Sequence, residues 1–159
     1  MQWQLVPLIC MRNPFMEVIT NKIFLATILA WVVAQGIKIA TALALTKKFN
    51  FKLLLSTGGM PSAHAASVSA LAISVGKTAG FSSPVCIATV IFAFITMFDA
   101  QGVRRHAGAQ AATLNKMVEE IYFNKGIRPE RLKELLGHTP IEVFAGALLG
   151  AVLAFIMFR

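Results

Sequence analysis

Between Ile23 and Leu45 the chain runs for 23 residues with a single charged side chain, Lys38. About 20 apolar residues in a helix span the ~30 Å hydrocarbon core of a bilayer. This one segment therefore steers the chain away from a soluble fold. Residues 61–78, 84–103 and 140–158 read as further spans. Composition agrees, with 57% hydrophobic and 14% charged residues, where a soluble domain carries about 25% charged. The 159 residues leave room for one domain. The fold expected is an all-α integral-membrane bundle of four main transmembrane helices, with interfacial helices over 107–136, forming a single membrane domain over 1–159.

The spans differ in character. Residues 61–78 are rich in Ala and Ser (Ala63, Ala65, Ala66, Ser67, Ser69, Ala70, Ala72 and Ser74). Small side chains let membrane helices approach closely, so this span should sit inside the bundle. Pro61 suits its first turn. Gly146 and Gly150 form a GxxxG packing face on the last span. Residues 107–123 read as an amphipathic helix with Leu114, Met117, Val118 and Ile121 on one stripe. Gly126 and Pro129 interrupt it, and 130–136 reads as a second short helix. Residues 1–11 are apolar but lack the basic region and cleavage site of a signal peptide; the first span should direct insertion itself. Cys10 and Cys86 stand alone in the sequence and read as packing residues rather than a disulfide or metal pair.

Counting crossings brings distant residues together. The first span ends in the 46–60 loop, where the second begins. The third returns to that side, and the fourth starts from it. Lys38, Lys47, Lys48, Ser62, His64, Arg104, Arg105 and His138 should then share one face. Eleven of the fifteen Lys and Arg residues fall there, which the positive-inside tendency reads as cytoplasmic.

The net charge of +8 in such a chain signals topology and anion binding before nucleic acid. No basic stretch is interleaved with aromatics, so no nucleic-acid partner is expected. Phosphate chemistry needs cationic and N–H donors around the oxygens, and helix N-termini supply oriented N–H groups. Gly58 and Gly59 let backbone approach an anion. Ser62 can donate a hydroxyl hydrogen bond. Either His64 or His138 can act as nucleophile or proton donor.

The sequence Pro61-Ser62-Ala63-His64 resembles the PSGH motif of type 2 phosphatidic acid phosphatases. The stretch from Gly137-His138 through Glu142, Ala145-Gly146 and Gly150 resembles the end of that family's third motif. Gly-Gly-Met-Pro-Ser over 58–62, Asp-Ala-x-Gly-Val-Arg-Arg over 99–105, Gln110 and Leu114-Asn115 are similar to the divergent branch of the superfamily, which is related to acid phosphatases and vanadium-dependent haloperoxidases. The likeness covers about residues 20–158. It implies a helical bundle that hydrolyses phosphomonoesters or pyrophosphates without a metal or other cofactor. It casts His138 as the nucleophile that becomes phosphohistidine, Glu142 as the carboxylate orienting it, and His64 as general acid. Ser62 and nearby N–H groups would bind phosphate, together with Lys38, Lys47, Lys48, Gly59, Arg104 and Arg105.

The chain departs from the pattern in four places. Leu45 stands where the first motif has arginine, and Leu132 where the third motif has one; Glu142 replaces an aspartate and Ala63 a glycine. Lys47, Lys48, Arg104, Arg105 and Arg131 are the charges near enough to substitute. The leading expectation is a lipid-phosphate or polyprenyl-phosphate phosphatase in the cell membrane, its active face cytoplasmic. The alternative is a non-hydrolytic protein that binds or moves phosphorylated lipid. The partners expected are the membrane and a phosphorylated lipid, with a homo-oligomer left open. Asp99 reads either as an ion-pair partner of Arg104 or Arg105, or as a second proton carrier or metal ligand. His106, Gln110, Asn115, Glu119 and Glu120 read as polar-face residues.

Overall fold

A computed structural model of the chain describes residues 13–46, 59–123 and 137–159; at 45–46, 103–105 and 122–123 it describes the backbone alone. Six α-helices follow one another: α1 (Pro14–Ile19), α2 (Lys22–Thr46), α3 (Ala63–Ala79), α4 (Pro84–Gln101), α5 (Val103–Phe123) and α6 (Pro140–Met157). Among the described residues there is no strand.

The helix starts are set by local chemistry. Asn13 Oδ1 accepts from the Phe15 N–H, and Asn21 Oδ1 from the Ile23 N–H at 2.8 Å. Ser62, Ser83 and Thr139 cap α3, α4 and α6 through their hydroxyl oxygens. Each takes up an N–H that the first helical turn leaves without a partner. Pro84 and Pro140 occupy first-turn positions where a missing N–H is harmless. Gly80, at φ +88, stops α3 in a conformation that favours glycine.

The packing is inverted relative to a soluble protein. The buried side chains are mostly small, among them Ala26, Ala30, Ala34, Ala63, Ala65, Ala66, Ala70 and Ala154. The exposed set is large and apolar, with Phe94, Phe98, Ile141 and Phe144 each at least 70% exposed. Such a surface would be unstable in water and suits lipid. Helix α3 contacts α2, α4 and α6 and is the most enclosed of the long helices, as its alanine and serine content predicts. Gly146 and Gly150 of α6 lie over the carbonyl oxygens of Ser62 and Ala66, so close that a Cβ on either would collide with α3 backbone. Ser69 Oγ donates to the Ala147 carbonyl at 2.8 Å, a cross-helix bond inside the bundle.

Among the described residues three helical stretches are long and apolar enough to cross a membrane: Lys22–Ala44, Pro84–Ile121 and Pro140–Met157. The 17-residue α3 packs among them. The chain is an all-α integral-membrane bundle. Its two ends are chemically distinct. At one, Lys22 and Lys77 lie over the rings of Phe158 and Phe155, at 4.8 and 4.9 Å from the ring centroids. At the other, the starts of α3 and α6 meet the end of α4.

Two expectations need correction. Pro61 is not in the first turn of α3; Ser62 is the N-cap, so Pro61 precedes it, after a cis Met60–Pro61 peptide. The cap falls at Ser62 because its oxygen can accept from the Ala65 N–H while its own N–H is used elsewhere. The amphipathic helix begins at Val103, not 107. Only Gly102 interrupts the helix, and its N–H still donates to Phe98 O at 2.8 Å while its carbonyl accepts from the His106 N–H at 3.1 Å. Among the described elements α5 contacts α4 alone. The expectations for 1–11, for the basic loop over 47–58 and for a helix over 130–136 lie outside the described residues.

Candidate active site

His138 and Glu142 lie one helical turn apart at the start of α6, which puts both on the same side of the helix. His138 Nδ1 is 2.9 Å from Glu142 Oε2. The same carboxylate oxygen accepts the Thr139 N–H at 3.1 Å, while Thr139 Oγ1 accepts the Glu142 N–H at 3.4 Å. These reciprocal bonds form a capping box. A carboxylate on Nδ1 favours the tautomer in which that nitrogen carries the proton, and leaves Nε2 with its lone pair. Nε2 is buried and has no hydrogen-bond partner, in a residue only 1% exposed.

Backbone bonds tie this turn to two other helices. The His138 N–H donates to the Ala100 carbonyl in the last turn of α4, at 3.0 Å. The Ser62 N–H donates to the Glu142 carbonyl, also at 3.0 Å. The starts of α3 and α6 are thereby locked side by side, and their macrodipoles bring two positive helix ends to one place. His64, in the first turn of α3, puts its ring centroid 6.2 Å from that of His138, with an interplanar angle of 61°. The two imidazoles meet edge to face.

Lys38 reaches the same end from α2. It is 4% exposed, and it interacts electrostatically with Glu142. Gly59 rests on its aliphatic stem: a Cβ on Gly59 would lie 3.4 Å from Lys38 Cγ. Gly59 also adopts φ +99, which favours glycine. Ser62 is fully buried; its oxygen accepts the Ala65 N–H at 3.4 Å, which leaves the hydroxyl proton free for donation.

The structure thus gathers Lys38, Gly59, Ser62, His64, His138 and Glu142 at one end of the bundle. Lys47 and Lys48, and the side chains of Arg104 and Arg105, lie outside the described residues; the backbone of Arg104 and Arg105 forms the first turn of α5. Asp99 is half-buried in the last turn of α4, and His106, Gln110, Glu119 and Glu120 are exposed on α5. Among the described residues no group of three or more His, Cys, Asp and Glu side chains is placed to hold a metal ion. Two participants escaped the sequence reading. The Ala100 carbonyl is backbone and carries no residue signature. Thr139 did carry one, since Thr-x-x-Glu over 139–142 is the capping-box pattern.

Small-residue packing inside, lipid-facing aromatics outside and two histidines at one bundle end describe an integral-membrane helical bundle with a buried polar cluster at one end. The sequence model of the Divergent PAP2 family matches residues 19–153, and the chain belongs to that family. The chain is also 43% identical over 155 residues to the "Uncharacterized membrane protein YuiD" of Bacillus subtilis (strain 168), covering 89% of this chain and 97% of that protein. No solved structure matches it.

Proposed function

We propose that the protein is an integral-membrane phosphatase of lipid phosphates that works through a phosphohistidine at His138. One observation carries this reading. A buried imidazole is tied at Nδ1 to a carboxylate, its Nε2 is unpartnered, and a second imidazole centroid stands 6.2 Å away. An in-line transfer needs a nucleophile about 3 Å from phosphorus and an acid about 3 Å from the leaving oxygen. That line of atoms spans about 7–8 Å from nucleophile to acid, so the His64 ring must turn outward from its edge-to-face contact with His138 to admit a phosphoryl group.

The His138 Nε2 lone pair attacks phosphorus, and the P–O bond to the lipid alcohol breaks. Protonated His64 gives its proton to the departing alkoxide. Glu142 stabilises the positive charge that develops on His138. In the second half, neutral His64 takes a proton from water as the water oxygen attacks phosphorus. The P–N bond then breaks, returning His138 and releasing inorganic phosphate. Lys38, the Ser62 hydroxyl and the N–H groups at the two helix starts hold the phosphoryl oxygens. Lys47, Lys48, Arg104 and Arg105 are the further cations expected at this face, whose excess of basic residues supports a cytoplasmic orientation. The substrate is an amphiphile, because the site lies at the end of a bundle whose flanks face lipid.

The test is phosphate release from phosphatidate and polyprenyl phosphate in detergent micelles, by purified wild type and His138→Ala. Release by wild type that disappears in the variant supports the reading. Equal release from both removes the nucleophile. Saturable binding of these lipids without turnover favours a carrier of phosphorylated lipid instead.

A further inference from the structure

We infer that Thr139 is a positioning residue, and that the Thr139–Glu142 capping box both starts α6 and fixes the tautomer and direction of the His138 ring. The inference rests on the reading of His138 as nucleophile for its catalytic consequence, but the geometry stands apart from it. Glu142 is held at three points. Its N–H is taken by Thr139 Oγ1, its carbonyl by the Ser62 N–H, and its Oε2 by the Thr139 N–H and His138 Nδ1 together. A carboxylate joined only to the imidazole could rotate about its side-chain torsions. Sharing one oxygen between the ring and the Thr139 amide removes that freedom. The backbone that carries the ring is anchored too, because the His138 N–H donates to the Ala100 carbonyl.

This arrangement gives a physical reason for glutamate at 142. Capping boxes use glutamate or glutamine at the third helical position, because that length lets the side chain turn back to the N-cap N–H. Aspartate is shorter by one C–C bond, about 1.5 Å. Its carboxylate would sit farther from the Thr139 amide and the His138 ring, so serving both asks for a shift of the backbone. The longer side chain serves both the helix start and the imidazole, and Thr139 is what makes the two uses compatible.

The experiment uses the full chain in detergent with 15N-labelled histidine, at a pH where the imidazoles are neutral. The His138 signals are assigned by difference against His64→Asn and His106→Asn. Wild type should show His138 protonated at Nδ1. Thr139→Val keeps the shape and the amide bond to Oε2 but removes the hydroxyl that accepts the Glu142 N–H; the loosened first turn should shift His138 towards a mixture of tautomers and lower kcat about 10-fold with little change in KM, the lower end of the loss seen when a residue orienting a functional histidine is removed. Thr139→Ser should restore both. Glu142→Asp should also mix the tautomers. Ser83→Ala removes a helix cap of the same kind at the far end of the bundle. It should lower thermal stability yet leave tautomer and kcat unchanged, which separates positioning from general stability. A His138 ring protonated at Nε2 in wild type overturns the inference, as does an unchanged tautomer in Thr139→Val. A fixed Nδ1–H tautomer in a protein that hydrolyses no lipid phosphate overturns the proposed function instead.

Discussion

Gly146→Ala adds one methyl group at the closest approach of α3 and α6. The new Cβ would run into the Ser62 carbonyl oxygen and lie 3.1 Å from both the Ser62 carbonyl carbon and Ala65 Cβ. Comfortable carbon contacts begin near 3.5 Å, and the principal obstacle is backbone, which cannot swing aside. The helices must part by a distance on the order of 1 Å. Overpacking of this kind costs about 1–3 kcal/mol. Alanine returns about 1 kcal/mol through its higher helix propensity. The clash is with backbone, so the upper end applies, and a net loss of about 2 kcal/mol is expected. At about 2–4 °C per kcal/mol for a chain of this length, the melting temperature in detergent should fall by about 4–8 °C, read from Trp31 fluorescence. Activity should fall further than stability alone predicts. Ser62 begins the helix that carries His64, so the shift opens the gap between the two imidazoles. A 1 Å misplacement of reacting groups can cost about 100-fold. An unchanged melting temperature together with full phosphate release would refute the packing argument.

Further predictions concern single groups. Ser62→Ala removes a buried cap and a phosphate donor; stability should drop by about 1 kcal/mol, and KM for lipid phosphate should rise in steady-state assays. Lys38→Met keeps the buried stem under Gly59 but removes the charge beside Glu142; inorganic phosphate should inhibit the variant less well, while the helical circular-dichroism signal stays the same. Gly150→Leu forces a larger side chain against the Ala66 carbonyl, and yield of folded protein on size-exclusion chromatography should collapse. Phosphate release should persist in excess chelator, since the proposed chemistry runs through imidazoles and not through a metal.

Much of the architecture was readable from residue patterns because a membrane imposes a simple rule. The 23-residue run around Lys38 had to be a helix, and the alanine- and serine-rich run after Ser62 had to be enclosed. Gly146 and Gly150 were legible as a packing face, but only the structure shows that α3 fills it. The meeting of Lys38, Ser62, His64 and His138 at one end came from counting crossings, an argument about topology that needs no side-chain geometry. What escaped was local. Helix α1 is too short to show a period, and only Asn13 and Pro14 mark its start. Pro61 is equally at home before a cap or inside a first turn, and only the Ser62 backbone bonds decide between them. The near-continuity of α4 into α5 was hidden by Gly102, which reads as a break but keeps its helical hydrogen bonds. The anchoring of His138 on Ala100 is a backbone contact between residues 38 apart in the chain, and no residue type announces it.

The central claim is that His138 takes the phosphoryl group, and rapid quenching tests it most directly. Purified protein is mixed with phosphatidate carrying a 32P headgroup, stopped within the first turnover, and the labelled residue is mapped. The account predicts an acid-labile, base-stable label on His138. It should be absent from His138→Ala and should decay more slowly in His64→Ala, where no imidazole takes the proton from the attacking water. Phosphate release without any covalent label, or a label that survives replacement of His138, would contradict it.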